Sequence, residues 1–281
     1  MSVNKTNNIL REWSASAAYW QEHSPTIRTM FAPITEALIE EAGISADQSV
    51  LDVAGGPGEP SLTIAERVGP TGAVMCTDAV AEMVAAAEQQ AQRRGITNIS
   101  FRQCVAEALP FADNSYDAAV SRLGAMFFPD AVAGLREMLR VTKLNGALAF
   151  AVWGQADRNP FSYVVNNVLS RFVELPAADP DAQGNAFRFA EPGKLARLLT
   201  EAGATSVRER QLNFRIEAPI STEEFWRMRS ATSGIVREKL ATLSPDQARR
   251  VSLEVQEAVS EFFPDNQMSI PAEMLIVSGR K

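Results

Sequence analysis

Compact apolar runs alternate with amphipathic stretches along the first half of the chain. Val50–Val53, Ala73–Thr77, Ile99–Cys104, Asp117–Ser121 and Ala147–Trp153 have strand length and end in turn residues. Between them, apolar residues recur at helical spacing: Ser61 to Val68, then Val80, Met83, Val84, Ala87 and Ala91, then Val132, Leu135, Met138 and Leu139. This alternation predicts βαβ units with right-handed crossovers, and therefore a mostly parallel sheet. Ala147–Trp153 is apolar throughout, as expected of a strand covered on both faces. Ahead of the first strand, Leu10–Glu41 has helical periodicity, and Pro25 and Pro33 divide it into three pieces.

The second half is less regular. Phe161–Val173 reads as a helix and Pro176–Gly184 as a Pro/Asp-rich loop. Glu191-Pro192 opens a helix carrying Leu195, Leu198 and Leu199, which Gly203 stops. Val207–Ile216 alternates as a strand does, and Glu273–Ser278 reads as the last strand. Between those two lie two capping boxes, Ser221 with Glu224 and Ser244 with Gln247, each opening a helix. The expected architecture is α/β, a doubly wound, mostly parallel seven-stranded sheet whose final strand runs antiparallel. Its expected parts are a helical cover (1–45), an α/β core (46–217), a helical insertion (218–270) and the last core strand (271–281). The insertion is expected to be a lid, or else the contact of a homodimer.

Composition narrows the function classes. The 281-residue chain is 46% hydrophobic and 22% charged, and its formal net charge is −7. No Lys/Arg run is present, so the footprint of a nucleic-acid binder is missing. Cys76 and Cys104 lack metal-ligand spacing and are expected as buried thiols; no metal is expected. No apolar run is long enough for a membrane span, and the N-terminus lacks a signal-peptide core, which predicts a cytoplasmic protein.

The chemistry concentrates at Val50–Ser61, VLDVAGGPGEPS: an apolar strand, a glycine-rich turn, then a helix start. Such a turn lets a nucleoside cofactor approach the backbone closely. The dinucleotide pattern G-x-G-x-x-G is not met, because Ala54 and Glu59 stand at its first and last positions. The pattern D-x-A-G-G-P-G instead resembles motif I of class I S-adenosylmethionine (SAM) dependent methyltransferases, whose cofactor has no phosphates. The resemblance continues in order over about residues 50–154. Asp78-Ala79-Val80-Ala81-Glu82-Met83 is similar to D-I-S-P-E-M, and FRQCVAEALPF (Phe101–Phe111) to F-x-x-G-D-A-E-x-L-P-F. Leu135–Val141 and the Lys143-Leu144-Asn145-Gly146 turn resemble the family's A-L-x-E-x-x-R-V helix and K-P-G-G turn. The likeness is to methyltransferases of the ubiquinone/menaquinone-biosynthesis type.

This resemblance implies a Rossmann-like methyltransferase fold and SAM as cofactor. The implied cofactor residues are Asp52, Ala54, Gly55, Gly56, Gly58, Asp78, Ala79, Met83, Val105, Ala106, Glu107, Ser121 and Arg122, with Asp78 on the ribose hydroxyls. Val105 stands where the family has an adenine-binding Asp, so adenine would rest on backbone and apolar contacts. The acceptor, a small apolar or aromatic molecule, is expected among Tyr19, Trp20, Met126, Phe127 and Trp226, and the one histidine, His23, is the candidate base. Two alternatives stand beside this reading: a nicotinamide oxidoreductase, and a SAM-binding protein without methyl-transfer chemistry.

Overall fold

The computed structural model describes residues 2–175, 179 and 181–281, with residues 2–7 described by their backbone alone. Pro176, Ala177, Ala178 and Pro180 of the expected Pro/Asp-rich loop lie outside the described residues. Seven strands form one sheet: β1 (Ser49–Val53), β2 (Ala73–Asp78), β3 (Ile99–Gln103), β4 (Tyr116–Arg122), β5 (Thr142–Trp153), β6 (Thr205–Ala218) and β7 (Met268–Arg280). Their order is β3-β2-β1-β4-β5-β7-β6, parallel from β3 to β5, with β7 antiparallel to both β5 and β6.

The N-terminal segment folds as α1 (Ser2–Glu22), α2 (Ser24–Met30) and α3 (Ala32–Ala42), with a proline in the first turn of both α2 and α3. Proline is tolerated there because the first-turn amides have no intrahelical partner. Of the three, α3 packs on β4, β5 and β7 and is part of the core. The βα units supply α4 (Ser61–Val68), α5 (Ala81–Arg94) and α6 (Ala131–Val141). The β1-to-β2 and β2-to-β3 connections run one way across the sheet and β4-to-β5 the other. Right-handed crossovers therefore place α4 and α5 on one face and α6 on the opposite face.

One expected turn is a bulge within a strand. Lys143–Gly146 lies inside β5, where the register with β4 shifts between Tyr116 and Ala118 and Asn145 takes a positive φ of 64°. Asparagine tolerates that left-handed conformation better than most residues. Beyond β5 come α7 (Pro160–Leu169) and α8 (Lys194–Ala202). Between β6 and β7 lie α9 (Thr222–Thr232), α10 (Gly234–Leu240) and α11 (Pro245–Val259). Both capping boxes form, with Ser221 Oγ accepting from the Glu224 amide at 3.2 Å and Ser244 Oγ from the Gln247 amide at 3.3 Å. The insertion does not sit loosely on the molecule. Phe225 is fully buried, its ring 5.6 Å from Phe161 and 5.7 Å from Phe263, and Val236, Val251 and Val255 are buried in the same core.

Candidate active site

β1 and β4 are neighbours, yet the chain leaves β1 toward β2 on the other side. At such a switch point the connections diverge and open a crevice beyond the carboxyl ends of the strands. A cleft of about 1250 Å³, its open mouth included, lies there. Its floor is the β1–α4 turn, the β2 end and the β4 end: Ala54–Pro57, Asp78–Val80 and Arg122–Gly124. Its walls come from α1 and the segment after it (Ile9, Leu10, Trp13, Trp20, Ser24, Ile27, Phe31), from Cys104–Glu107 and from Phe127–Pro129.

The turn is held from below. Asp52 is fully buried, and its Oδ2 accepts from the Ser61 amide at 3.1 Å and the Ser61 hydroxyl at 2.5 Å. Burial pushes its carboxyl up to about 7, against the opposing Ser61 hydrogen bonds and the Arg122 charge. A Cβ on Gly55 would stand 2.8 Å from both Asp52 Oδ2 and Cys76 Sγ, so only glycine fits there. Gly58, at φ +113°, would drive a Cβ to 2.8 Å from Leu62 Cδ1; it serves helix packing and does not line the cleft. Asp52 likewise lies beneath the cleft. Both were expected to touch cofactor, and both instead shape the turn that lines it.

These bonds also close the first turn of α4. Ser61 donates to Asp52, Leu62 to the Gly58 carbonyl at 2.8 Å, and Thr63 to Glu59 Oε2 at 3.4 Å. A pyrophosphate site needs such amides free and positive. Here two of them already face carboxylates.

Asp78 lines the cleft at the end of β2. Its Oδ2 accepts from the Gly56 amide at 3.0 Å and its Oδ1 from the Val80 amide at 2.9 Å. The first bond ties the carboxylate to the glycine turn, and both leave lone pairs for a ligand. Burial raises Asp78 to about 6, partly offset by those backbone bonds. Ala79, Met83, Val105, Ala106 and Glu107 line the same end. Val105 is 41% exposed at the rim, an apolar surface with no acceptor atom in its side chain. Glu107 Oε1 accepts from the Asp130 amide at 3.0 Å, which fastens this segment to the start of α6. From the end of α6, Arg140 donates to the Leu109 and Phe111 carbonyls at 2.8 Å.

At the other end the walls are aromatic. Trp13 meets Phe127 edge-on at 5.1 Å and Trp20 at 5.9 Å. Trp20 donates its indole N–H to the Thr232 carbonyl of α9 at 3.2 Å, which joins the insertion to this wall. Several expected acceptor residues are elsewhere. Tyr19 is 39% exposed beneath the Arg237 guanidinium, because a one-residue step turns about 100° around the helix from Trp20. Met126 is fully buried, as is Ser121, which was expected on the cofactor, and Trp226 is buried in the main core without lining the cleft. His23, the candidate base, sits at the junction of α1 and α2 and does not line the cleft. Cys104, expected buried, is partly exposed and lines it. Ile9, Leu10, Ile27 and Phe31 line it without having been singled out, since each reads in sequence as ordinary core; Trp13 and Leu123 line it as well.

Among the described residues, no group of three His, Cys, Asp or Glu side chains could hold a metal ion, and no helix is long and apolar enough to cross a membrane.

The ubiquinone/menaquinone biosynthesis C-methyltransferase UbiE of Stenotrophomonas maltophilia is 33% identical over 149 residues, covering 51% of this chain and 59% of that protein. The chain spans about half the length of the curated relatives it matches, 44% of one and 59% of another. Among solved structures, the YcgJ protein of a Bacillus species superposes with a TM-score of 0.56 at 23% identity, over 88% of this chain and 97% of that one. Phosphoethanolamine N-methyltransferase 2 of Haemonchus contortus, solved with S-adenosylhomocysteine, gives a TM-score of 0.58 at 15% identity, over 97% of this chain and 60% of that one. At these identities the two structures show a shared fold. The sequence profile of the ubiE/COQ5 methyltransferase family matches residues 34–220, most of the chain and every strand of the cleft, and the chain belongs to that family.

Proposed function

We propose that the cleft binds SAM and that the chain transfers its methyl group to a small, apolar or aromatic metabolite. The observation that carries the choice of cofactor is the closed first turn of α4. With the Ser61 and Thr63 amides already taken by Asp52 and Glu59, the start of α4 has fewer free donors for a dinucleotide pyrophosphate. A cofactor without phosphates does not need them. The names of the relatives support the reading, as does the demethylated cofactor held by the Haemonchus enzyme.

In this assignment Asp78 takes the ribose hydroxyls, the Ala54–Pro57 turn underlies the amino-acid tail, and Val105 with Ala106 flanks adenine. The sulfonium supplies an already activated methyl group when SAM is bound. The chain's own task is then to align the acceptor and exclude water. Trp13, Trp20, Ile27, Phe31, Leu123 and Phe127 provide an apolar chamber for that. Glu59, which also lines the cleft, is held by Arg94 at 2.6 Å and Arg28 at 3.4 Å and is unsuited to act as a base. The acceptor chemistry that fits is one needing little proton transfer. The reading extends to a cytoplasmic enzyme that uses no nucleic acid, in keeping with its net charge of −7.

Calorimetric titration of SAM into the full chain and into Asp78→Ala tests the assignment. Loss of a charge-assisted acceptor should weaken binding about 10- to 100-fold. An unchanged affinity would remove Asp78 from the site.

A further inference from the structure

Val53 pairs with Thr77 and Asp52 with Val120, so Asp78, Ala54 and Arg122 leave three adjacent strands, β2, β1 and β4, at one level. With strands about 4.8 Å apart, the backbones at Asp78 and Arg122 stand about 10 Å from each other across the cleft floor. Arg122 is the one basic side chain among the described lining residues. It donates to Thr35 Oγ1 at 2.9 Å and to the Glu59 carbonyl at 3.0 Å, both neutral acceptors. No carboxylate of a described residue lies within ion-pair distance of it. Its other aid, the Phe31 ring at 5.9 Å, is at the outer limit of a cation–π contact. A guanidinium has five donors, and the Glu59 and Asp52 carboxylates act on this one only from beyond ion-pair distance, so none of the five meets a carboxylate directly. Its Nε, which neither of the two hydrogen bonds uses, is not fully buried, and the side chain lines the cleft.

We propose that Arg122 anchors the α-carboxylate of the cofactor's amino-acid tail. This rests on the reading that SAM occupies the cleft. With the ribose on Asp78, the tail crosses Ala54 and its carboxylate comes to β4, beside the guanidinium that no carboxylate of a described residue contacts. Burial holds the guanidinium pKa below its ordinary value, against the opposing pull of the Glu59 and Asp52 charges. Asp78 and Arg122 thus fix the two ends of the cofactor, and the chamber beyond Phe31 and Phe127 offers no spare charge. That makes the acceptor neutral.

The test pairs a protein change with a ligand change. SAM and decarboxylated SAM, which lacks only the carboxylate, are titrated calorimetrically into the wild-type chain, Arg122→Met and Arg122→Lys. The wild type should prefer SAM by about 10- to 100-fold. Arg122→Met should lose that factor for SAM and bind the decarboxylated analogue with unchanged affinity; Arg122→Lys should recover part of the preference. An equal loss for both ligands would make Arg122 merely a structural tie to Thr35 and Glu59, and overturn the proposal. An unchanged SAM affinity with a raised acceptor KM would assign the charge to the acceptor instead. Equal affinities in the wild type overturn it however the variants fold. A wild type that binds neither ligand takes the cofactor reading down as well.

Discussion

The two ends of the cleft are built by different means. The cofactor end is made of backbone and strand register: a turn under Asp52, the Gly56 amide on Asp78, and three strand ends at one level. The acceptor end is made of side chains from segments far apart in sequence, with Trp13 on α1 against Phe127 after β4, and Trp20 tied to Thr232 of α9. A backbone-built site tolerates little change at the positions its geometry uses. A side-chain wall can be altered one residue at a time, and so can diversify its ligand while the donor stays the same.

The comparison breaks most sharply at the turn. Gly55→Ala would press a Cβ against Asp52 and Cys76, an overpacking worth about 1–3 kcal/mol. We expect SAM affinity to fall by at least about tenfold, with a lowered Tm. Gly95→Ala, just past the end of α5 and away from the cleft, is the control: its Cβ meets nothing within 4 Å, leaving only the left-handed backbone penalty at φ +65° of about 1 kcal/mol. Equal effects of the two variants would mean that the packing beneath the turn is not what shapes it. At the acceptor end, Phe127→Ala should raise the KM of an identified acceptor by about tenfold, the value of a well-buried aromatic contact, and shift the SAM dissociation constant by less than about threefold. Equal losses for acceptor and SAM would erase the division between the ends.

What was legible in the sequence follows the same division. The mostly parallel sheet, its antiparallel last strand and both capping boxes rest on local patterns: apolar runs, helical periodicity, and Ser with Glu or Gln three residues on. The convergence of the glycine turn and Asp78 on the cleft floor was legible because a strand, that turn and Asp78 lie within one βαβ unit. Asp52 and Gly58 were placed in contact with ligand because sequence spacing cannot tell a residue that lines a turn from one that props it. The acceptor wall was largely illegible. Ile27 and Phe31 look like any apolar helical residues until α2 is docked on the cleft. Tyr19 missed by one residue of helical rotation, and Trp226 because the insertion folds into the core instead of ending as a separate flap. Deleting that insertion would therefore expose Phe161 and unfold the chain, and single-residue variants are the better probes.

The most direct test of the central claim is a titration of the wild-type chain with SAM and with NAD, at pH 7.5 and at pH 5. SAM should bind at one site at pH 7.5 and NAD at least about 100-fold more weakly, because the start of α4 has fewer free amides for a pyrophosphate. Asp78 titrates at about 6 in the folded chain, so it is ionised at pH 7.5 and mostly protonated at pH 5. SAM affinity should accordingly drop as the pH falls through about 6, by up to about tenfold at pH 5. NAD binding as tightly as SAM, or a SAM affinity indifferent to pH across this window, would contradict the account.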